Sequence, residues 1–209
     1  MREYTLDRDG CRIHILGVVK GLKSEAENVR RAFDNSKPDK VAISISKEEL
    51  EGLRNMPEDF EPELSRYEEI YVEGLSRFGE VAAPPPCYVA ALELAEHSGK
   101  PVVPVDMDEQ SYTDLYCAMV GGSSLFRHST RTWLLKRRSF DNRNAEDFVL
   151  AWDRAVNNLE CFKTIERRRA EAMAKGIIGA CAGSGSVLAV VELERASDVK
   201  NLIQEKAKK

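Results

Sequence analysis

Apolar and polar positions follow a readable pattern from the first residues. Glu3–Asp7 alternates, Cys11–Val19 runs largely apolar, and Arg8-Asp9-Gly10 separates them. Asp-Gly between two such runs predicts a β-hairpin. Ser24-Glu25-Ala26-Glu27 has capping-box spacing, and Val29, Ala32 and Phe33 follow at helical intervals. A helix is expected there, ending before Pro38. Lys40–Ile45 (KVAISI) is β-branched and short, so it reads as a strand. Ser46-Lys47-Glu48-Glu49 repeats the capping-box spacing and opens another helix. Leu64, Tyr67, Tyr71 and Leu75 then form an apolar stripe on an acidic stretch, which predicts a solvated helix. Pro84-Pro85-Pro86 can lead into a helix, since proline is tolerated in a first turn. Tyr88–His97 is apolar and alanine-rich and reads as that helix, buried. Lys100–Asp106 resembles a short inner strand that ends in a carboxylate.

From Asp108 to Ile178 no strand signal occurs. Three or four helices are expected, broken near Gly121-Gly122, at Ser139–Arg143 and around Glu160, with a cap at Asn144-Ala145-Glu146-Asp147. Gly179–Ser186 is a turn, Val187–Val191 a last strand, and Val199, Leu202 and Ile203 mark a final amphipathic helix. This order predicts one α/β domain over residues 1–209, with a mainly parallel central sheet, flanking helices and a helical insertion at about 108–178.

Composition narrows the class. A chain of 209 residues can bury enough surface to fold without metal or disulfide. With 43% hydrophobic and 32% charged residues it belongs with globular proteins. The net charge of −4 argues against general affinity for nucleic acid. No apolar run reaches the roughly 18 residues of a membrane span, so no membrane partner is expected. Five scattered cysteines without a CxxC pair suit reduced, mostly buried thiols of a cytoplasmic protein.

Few residues point to chemistry. The glycines of Gly179–Ser186 follow a helix and precede a strand, the reverse of a phosphate cradle, so a flexible turn fits better. His14, His97 and His128 show no metal-ligand spacing, and His14 fits packing in the sheet. Leu125–Arg143 carries Arg127, Arg131, Lys136, Arg137, Arg138 and Arg143 against Asp141 alone. It could face nucleic acid. Complementarity to the acidic Lys47–Glu80, within the chain or across a homodimer, is the simpler account. Phe126 and Trp133, seven apart, are expected on a face packed against the core or a partner subunit. Asp106 is placed where ligands bind in open parallel sheets, beyond a strand's carboxyl end. Asp106 or Asp108 could equally cap the next helix. Glu93 faces either a cleft or solvent.

The pattern as a whole resembles the TraB family, which includes pheromone-shutdown proteins and is related to Tiki-type metal-dependent proteases. Ile15-Leu16-Gly17-Val18-Val19-Lys20 is similar to its first strand, which ends in G-x-x-H. Pro38-Asp39-Lys40-Val41-Ala42-Ile43-Ser44-Ile45 is similar to its P-D-x-V-A-x-E-L strand. Tyr88–His97 and Val102–Asp108 resemble its Ala/Glu-rich helix and acidic-turn strand. Arg169-Ala170-Glu171-Ala172-Met173-Ala174 resembles R-[DN]-x-x-M-A, and Val190-Val191-Glu192-Leu193-Glu194-Arg195 resembles V-V-G-x-x-H. The resemblance implies that fold and a metal-dependent hydrolase. The departures fall on the chemistry: Lys20 and Arg195 at the two histidines, Ser44 at the glutamate, Glu192 at the second glycine, Ala170 at the acidic or amide position. Ammonium and guanidinium have no lone pair for a metal, so neither metal nor other cofactor is expected.

A non-catalytic binding or assembly protein follows as the first expectation. The alternative is a metal-independent enzyme, or a binder of an anionic small molecule, in the same cleft. Candidate cleft residues are Lys20, Glu93, Asp106, Asp108, Arg169 and Arg195. If the register is right, Lys20 and Arg195 converge and need compensating charge, with Glu93, Asp106 and Glu192 as the available carboxylates.

Overall fold

The computed structural model describes residues 2–57, 64–135, 140 and 143–205, with the backbone alone at 2 and 129–135. The chain starts with the expected hairpin, β1 (Arg2–Arg8) and β2 (Cys11–Val18). The pair Arg8↔Cys11 closes it, with Asp9 and Gly10 at φ 49° and 81°, the left-handed turn that Asp-Gly adopts readily. Helix α1 (Glu25–Ser36), β3 (Lys40–Ile43), α2 (Lys47–Arg54), α3 (Arg66–Leu75) and α4 (Pro86–His97) follow. Then come β4 (Val102–Pro104), α5 (Glu109–Met119), α6 (Gly122–Leu135), α7 (Ala145–Val156), α8 (Glu160–Ala180), β5 (Ser186–Glu192) and α9 (Leu193–Glu205).

The five strands form one sheet in the order β1-β2-β5-β3-β4, antiparallel between β1 and β2 and parallel elsewhere. Strand β5 lies in the middle, and Val187–Val191 is buried throughout, as an apolar run covered on both faces must be. Ile13, Ile15, Ala42, Ala189 and Val191 pack on one face against Met173, Ile177, Val199 and Ile203 of α8 and α9. Leu16, Val18, Val41, Ile43 and Val190 pack on the other against Val29, Phe33, Ala91 and Leu92 of α1 and α4. The chain moves outward from β2 to β3 to β4 across one face. It returns over the other through α8 and inserts β5 between β2 and β3. Four parallel strands therefore end on one edge, and Lys20, Ser44, Asp106 and Glu192 lie just at or beyond those ends.

The α/β class, the parallel sheet and the strand positions agree with the sequence pattern. So do the capping box at Ser46 and the cap at Asn144, whose side chain accepts from Asp147 N–H at 2.8 Å. Several elements differ. Ser24 makes no side-chain cap: its φ of −61° and ψ of −23° are already helical, and the first amides of α1 bond to Leu22, Lys23 and Ser24 carbonyls instead. Among its described residues the acidic stretch holds two α-helices and a short 3-10 turn at Ser76–Phe78, with Leu64 exposed before the second helix. Its capping box at Ser65–Glu68 starts that helix. The second helix has a solvated acidic face, and its apolar stripe lies against a neighbour: Tyr67 and Tyr71 pack on Phe148 and Trp152 of α7, with Trp152 Nε1 donating to Tyr67 at 2.8 Å. Strand β4 is an edge strand, not an inner one. Helix α8 belongs to the sheet's cover rather than to the insertion, and Gly176 lets it approach Val105, where an added Cβ would sit 2.8 Å away. Cys11 and Cys87 are buried, Cys161 and Cys181 half-buried and Cys117 exposed, so fewer thiols are buried than expected. Phe126 is 71% exposed and is not packed on the core. The side chains of Arg131 and Trp133, and Lys136, Arg137, Arg138 and Asp141, lie outside the described residues. Among the described residues, no helix is long and apolar enough to cross a membrane.

Candidate functional site

Strand register brings the site together. Glu192 ends β5 opposite Val18, two residues before Lys20, and Ser44 N–H donates to Val190 O at 3.1 Å. Ser44 Oγ in turn accepts from Glu192 N–H at 3.1 Å and shares a 2.8 Å hydrogen bond with the Tyr88 hydroxyl. The Glu192 carboxylate meets Lys20 Nζ at 2.7 Å through one oxygen and Arg169 at 3.1 Å through the other.

Arg169 reaches this point from α8. Its Nε donates to Asp106 at 3.1 Å, a second nitrogen also bonds Asp106, and the third meets Glu166 at 2.9 Å. Glu166 lies 3.4 Å from Nε of Arg195 in α9, and Arg195 also pairs with Asp153 of α7. The result is an unbroken chain, Lys20–Glu192–Arg169–Glu166–Arg195–Asp153, with Asp106 as a branch. Three cations face four carboxylates. Glu192, with a side chain only 4% exposed, is the hub of the chain's Lys20 end, while Arg169 meets three of the four carboxylates.

Burial and pairing pull these groups in opposite directions. Burial pushes Glu192 up, but Lys20 and Arg169 outweigh it and hold the carboxyl at about 2. Lys20 is raised well above the usual lysine range, chiefly by Glu192. Burial raises Asp106 and Glu166, and the arginines beside them only partly offset it. Glu194, one residue into α9's first turn, is pushed up to about 7 by burial and by Glu192, and its Oε2 has no hydrogen-bond partner among the described residues. Burial raises Tyr88 well above its ordinary value.

Of the residues read from the sequence, Lys20, Asp106, Arg169 and Arg195 join one ion-pair chain, but Lys20 and Arg195 do not converge on one cleft as the register reading expected: Glu192, Arg169 and Glu166 stand between them, and each lines a different cavity. Glu93 does not join the chain: it is exposed on α4, because the opposite face of that helix carries the apolar side chains that pack on the sheet. Asp108 does not either. It caps α5, accepting from Ser111 N–H at 2.8 Å, so its carboxylate is committed to a helix start. Of the three carboxylates thought available, Glu192 pairs with Lys20, whereas Asp106 serves Arg169. Glu166 and Asp153 were missed. Glu166 stands three residues before Arg169, a helical ion-pair spacing that could have found it. Asp153 and the Ser44–Tyr88 pair had no sequence signal.

A cavity of about 480 Å³ opens beside this hub, lined by Lys20, Ser44, Tyr88 and Arg169 together with residues from α2 and the turn before α4. The other end of the ion-pair chain, at Arg195, lines a separate groove of about 740 Å³. The metal ion that the TraB resemblance implies does not fit these residues: Lys20 and Arg195 present donors only, already engaged with carboxylates. Among the described residues no group of three or more His, Cys, Asp or Glu is arranged to hold a metal. Set against known proteins, the chain matches no family model and no curated protein.

Proposed function

We propose that this protein is a TraB-like domain that has lost metal chemistry and works as a non-catalytic binding or assembly protein. One observation carries the reading. Lys20 and Arg195, at the two positions where the resemblance expects histidine ligands, are two of the three cations of a continuous ion-pair chain that runs through Glu192, Arg169 and Glu166. Such a chain holds together, without an ion, the strand ends and helices that a metal would otherwise join. The acid–base chemistry of a rebuilt enzyme finds less support. Glu93 and Asp108 lie away from the cavity, and Asp106 is bonded to Arg169. Tyr88 is shifted away from the neutral range in which a general base works.

Equilibration with zinc or manganese followed by gel filtration and elemental analysis tests the proposal. We expect no stoichiometric retention and no metal-stimulated hydrolysis of peptide substrates. One tightly held ion per chain, lost in Glu192→Gln, would overturn it.

A further inference from the structure

We infer that the cavity beyond the strand ends is a binding site for a small organic monocarboxylate with an apolar body. The inference rests on the metal-free binding reading above and names the ligand class for it. The first support is an excess of hydrogen-bond donors. Ser44 and Tyr88 are both buried and both line the cavity. Their two hydroxyl hydrogens serve one bond between them, and Ser44 Oγ already accepts from Glu192 N–H. Whichever way the shared bond runs, one O–H hydrogen has no acceptor among the described residues. Lys20 adds to the excess. Its ammonium has three donors, pairs with Glu192, and keeps 37% of its side chain exposed. A ligand oxygen that accepts from both would satisfy this wall.

Charge selects among acceptors. Among the described residues, the cations that line the cavity are Lys20 and Arg169, while their partners Asp106, Glu166 and Glu192 do not line it. Glu49 does, but it is held in its helix cap by Ser46 N–H at 2.7 Å. A single negative charge therefore meets ammonium and guanidinium first. The excess of one carboxylate in the chain behind opposes every anion, and it opposes a dianion such as a phosphate monoester about twice as strongly as a monocarboxylate. The remaining lining includes Ile45, Leu53, Met56, Pro57, Pro84 and Pro85, which fit an alkyl or aryl body. A volume of about 480 Å³ falls in the range of small-molecule sites, roughly 300–1,000 Å³.

Benzoate and hexanoate are the probes, with benzyl alcohol, hexanol and phenyl phosphate as comparisons, each titrated while backbone amide resonances are followed. Saturable shifts at Ser44, Leu53 and Tyr88 are expected with the two acids, about tenfold weaker with the alcohols and weaker with phenyl phosphate. Tyr88→Phe, which removes only the hydroxyl, should weaken benzoate about tenfold, and Leu53→Glu, which puts a carboxylate in the wall, should abolish binding. Three results would overturn the inference: no saturable binding of either acid; alcohols or phenyl phosphate binding as tightly as the acids; or folded Tyr88→Phe and Leu53→Glu binding benzoate like the parent. Metal retention is measured separately, so failure here is distinguishable from failure of the metal-free reading.

Discussion

Glu192→Gln replaces one carboxylate oxygen by an amide nitrogen at the hub of the ion-pair chain's Lys20 end and changes almost no volume. It removes the charge that Lys20 meets at 2.7 Å and Arg169 at 3.1 Å. A carboxyl held at about 2 instead of its ordinary 4.5 favours its charged form by about 3 kcal/mol in the folded state. The glutamine also turns an amide donor towards two cations, so the loss belongs in the ~3–5 kcal/mol range of a broken buried pair. For a chain of this size that corresponds to a fall of roughly 6–20 °C in Tm. Urea unfolding at pH 7, with an unchanged m-value, is the assay. The pH dependence has a definite sign. Glu192 is lowered on folding, so its contribution is fully present above about 4.5 and is lost as pH falls towards 2. The gap between parent and variant should therefore narrow below about pH 4.5. Adding Lys20→Met removes the ammonium left bare, and the pair of changes should cost at least ~1 kcal/mol less than the sum of the single changes. A loss below ~1 kcal/mol in Glu192→Gln at pH 7, or strict additivity with Lys20→Met, would refute the hub assignment.

Glu194 has the opposite sign: its carboxyl is raised on folding to about 7, so its stabilising contribution is present below 4.5 and is lost as pH rises through 7. Glu194→Gln should raise stability at pH 8 by up to about 3 kcal/mol and flatten the decline between pH 5 and 8. Chemical denaturation across that window checks it, and an unchanged slope counts against the buried, unpartnered carboxylate. Asp108→Ala should destabilise the protein through loss of the α5 cap, read as a lower urea midpoint with an unchanged m-value. Glu93→Ala, at an exposed site, should stay within roughly 0.5 kcal/mol of the parent.

Local pattern by itself determined the hairpin at Asp9-Gly10, the positions of the parallel strands, the caps at Ser46 and Asn144 and the burial of α4. Each depends on residues within one or two turns of one another. The same reasoning failed at Ser24, where backbone conformation overrode a side chain with the right spacing. The stripe of Tyr67, Tyr71 and Leu75 was legible, but its partner in α7 was not. The candidate site divides along the same line. Lys20, Asp106, Arg169 and Arg195 stood out because a charged residue at a strand end or within an otherwise matching motif is visible in one dimension. Their pairing was not visible. Glu192 meets Lys20 only because the crossover through α8 returns the chain and inserts β5 between β2 and β3. Asp153 meets Arg195 only because α7 and α9 pack together. Hydrophobic periodicity records which face of an element is buried. Which carboxylate closes on which cation is decided by strand order and helix packing, since those set the few ångströms over which a buried charge must find its partner.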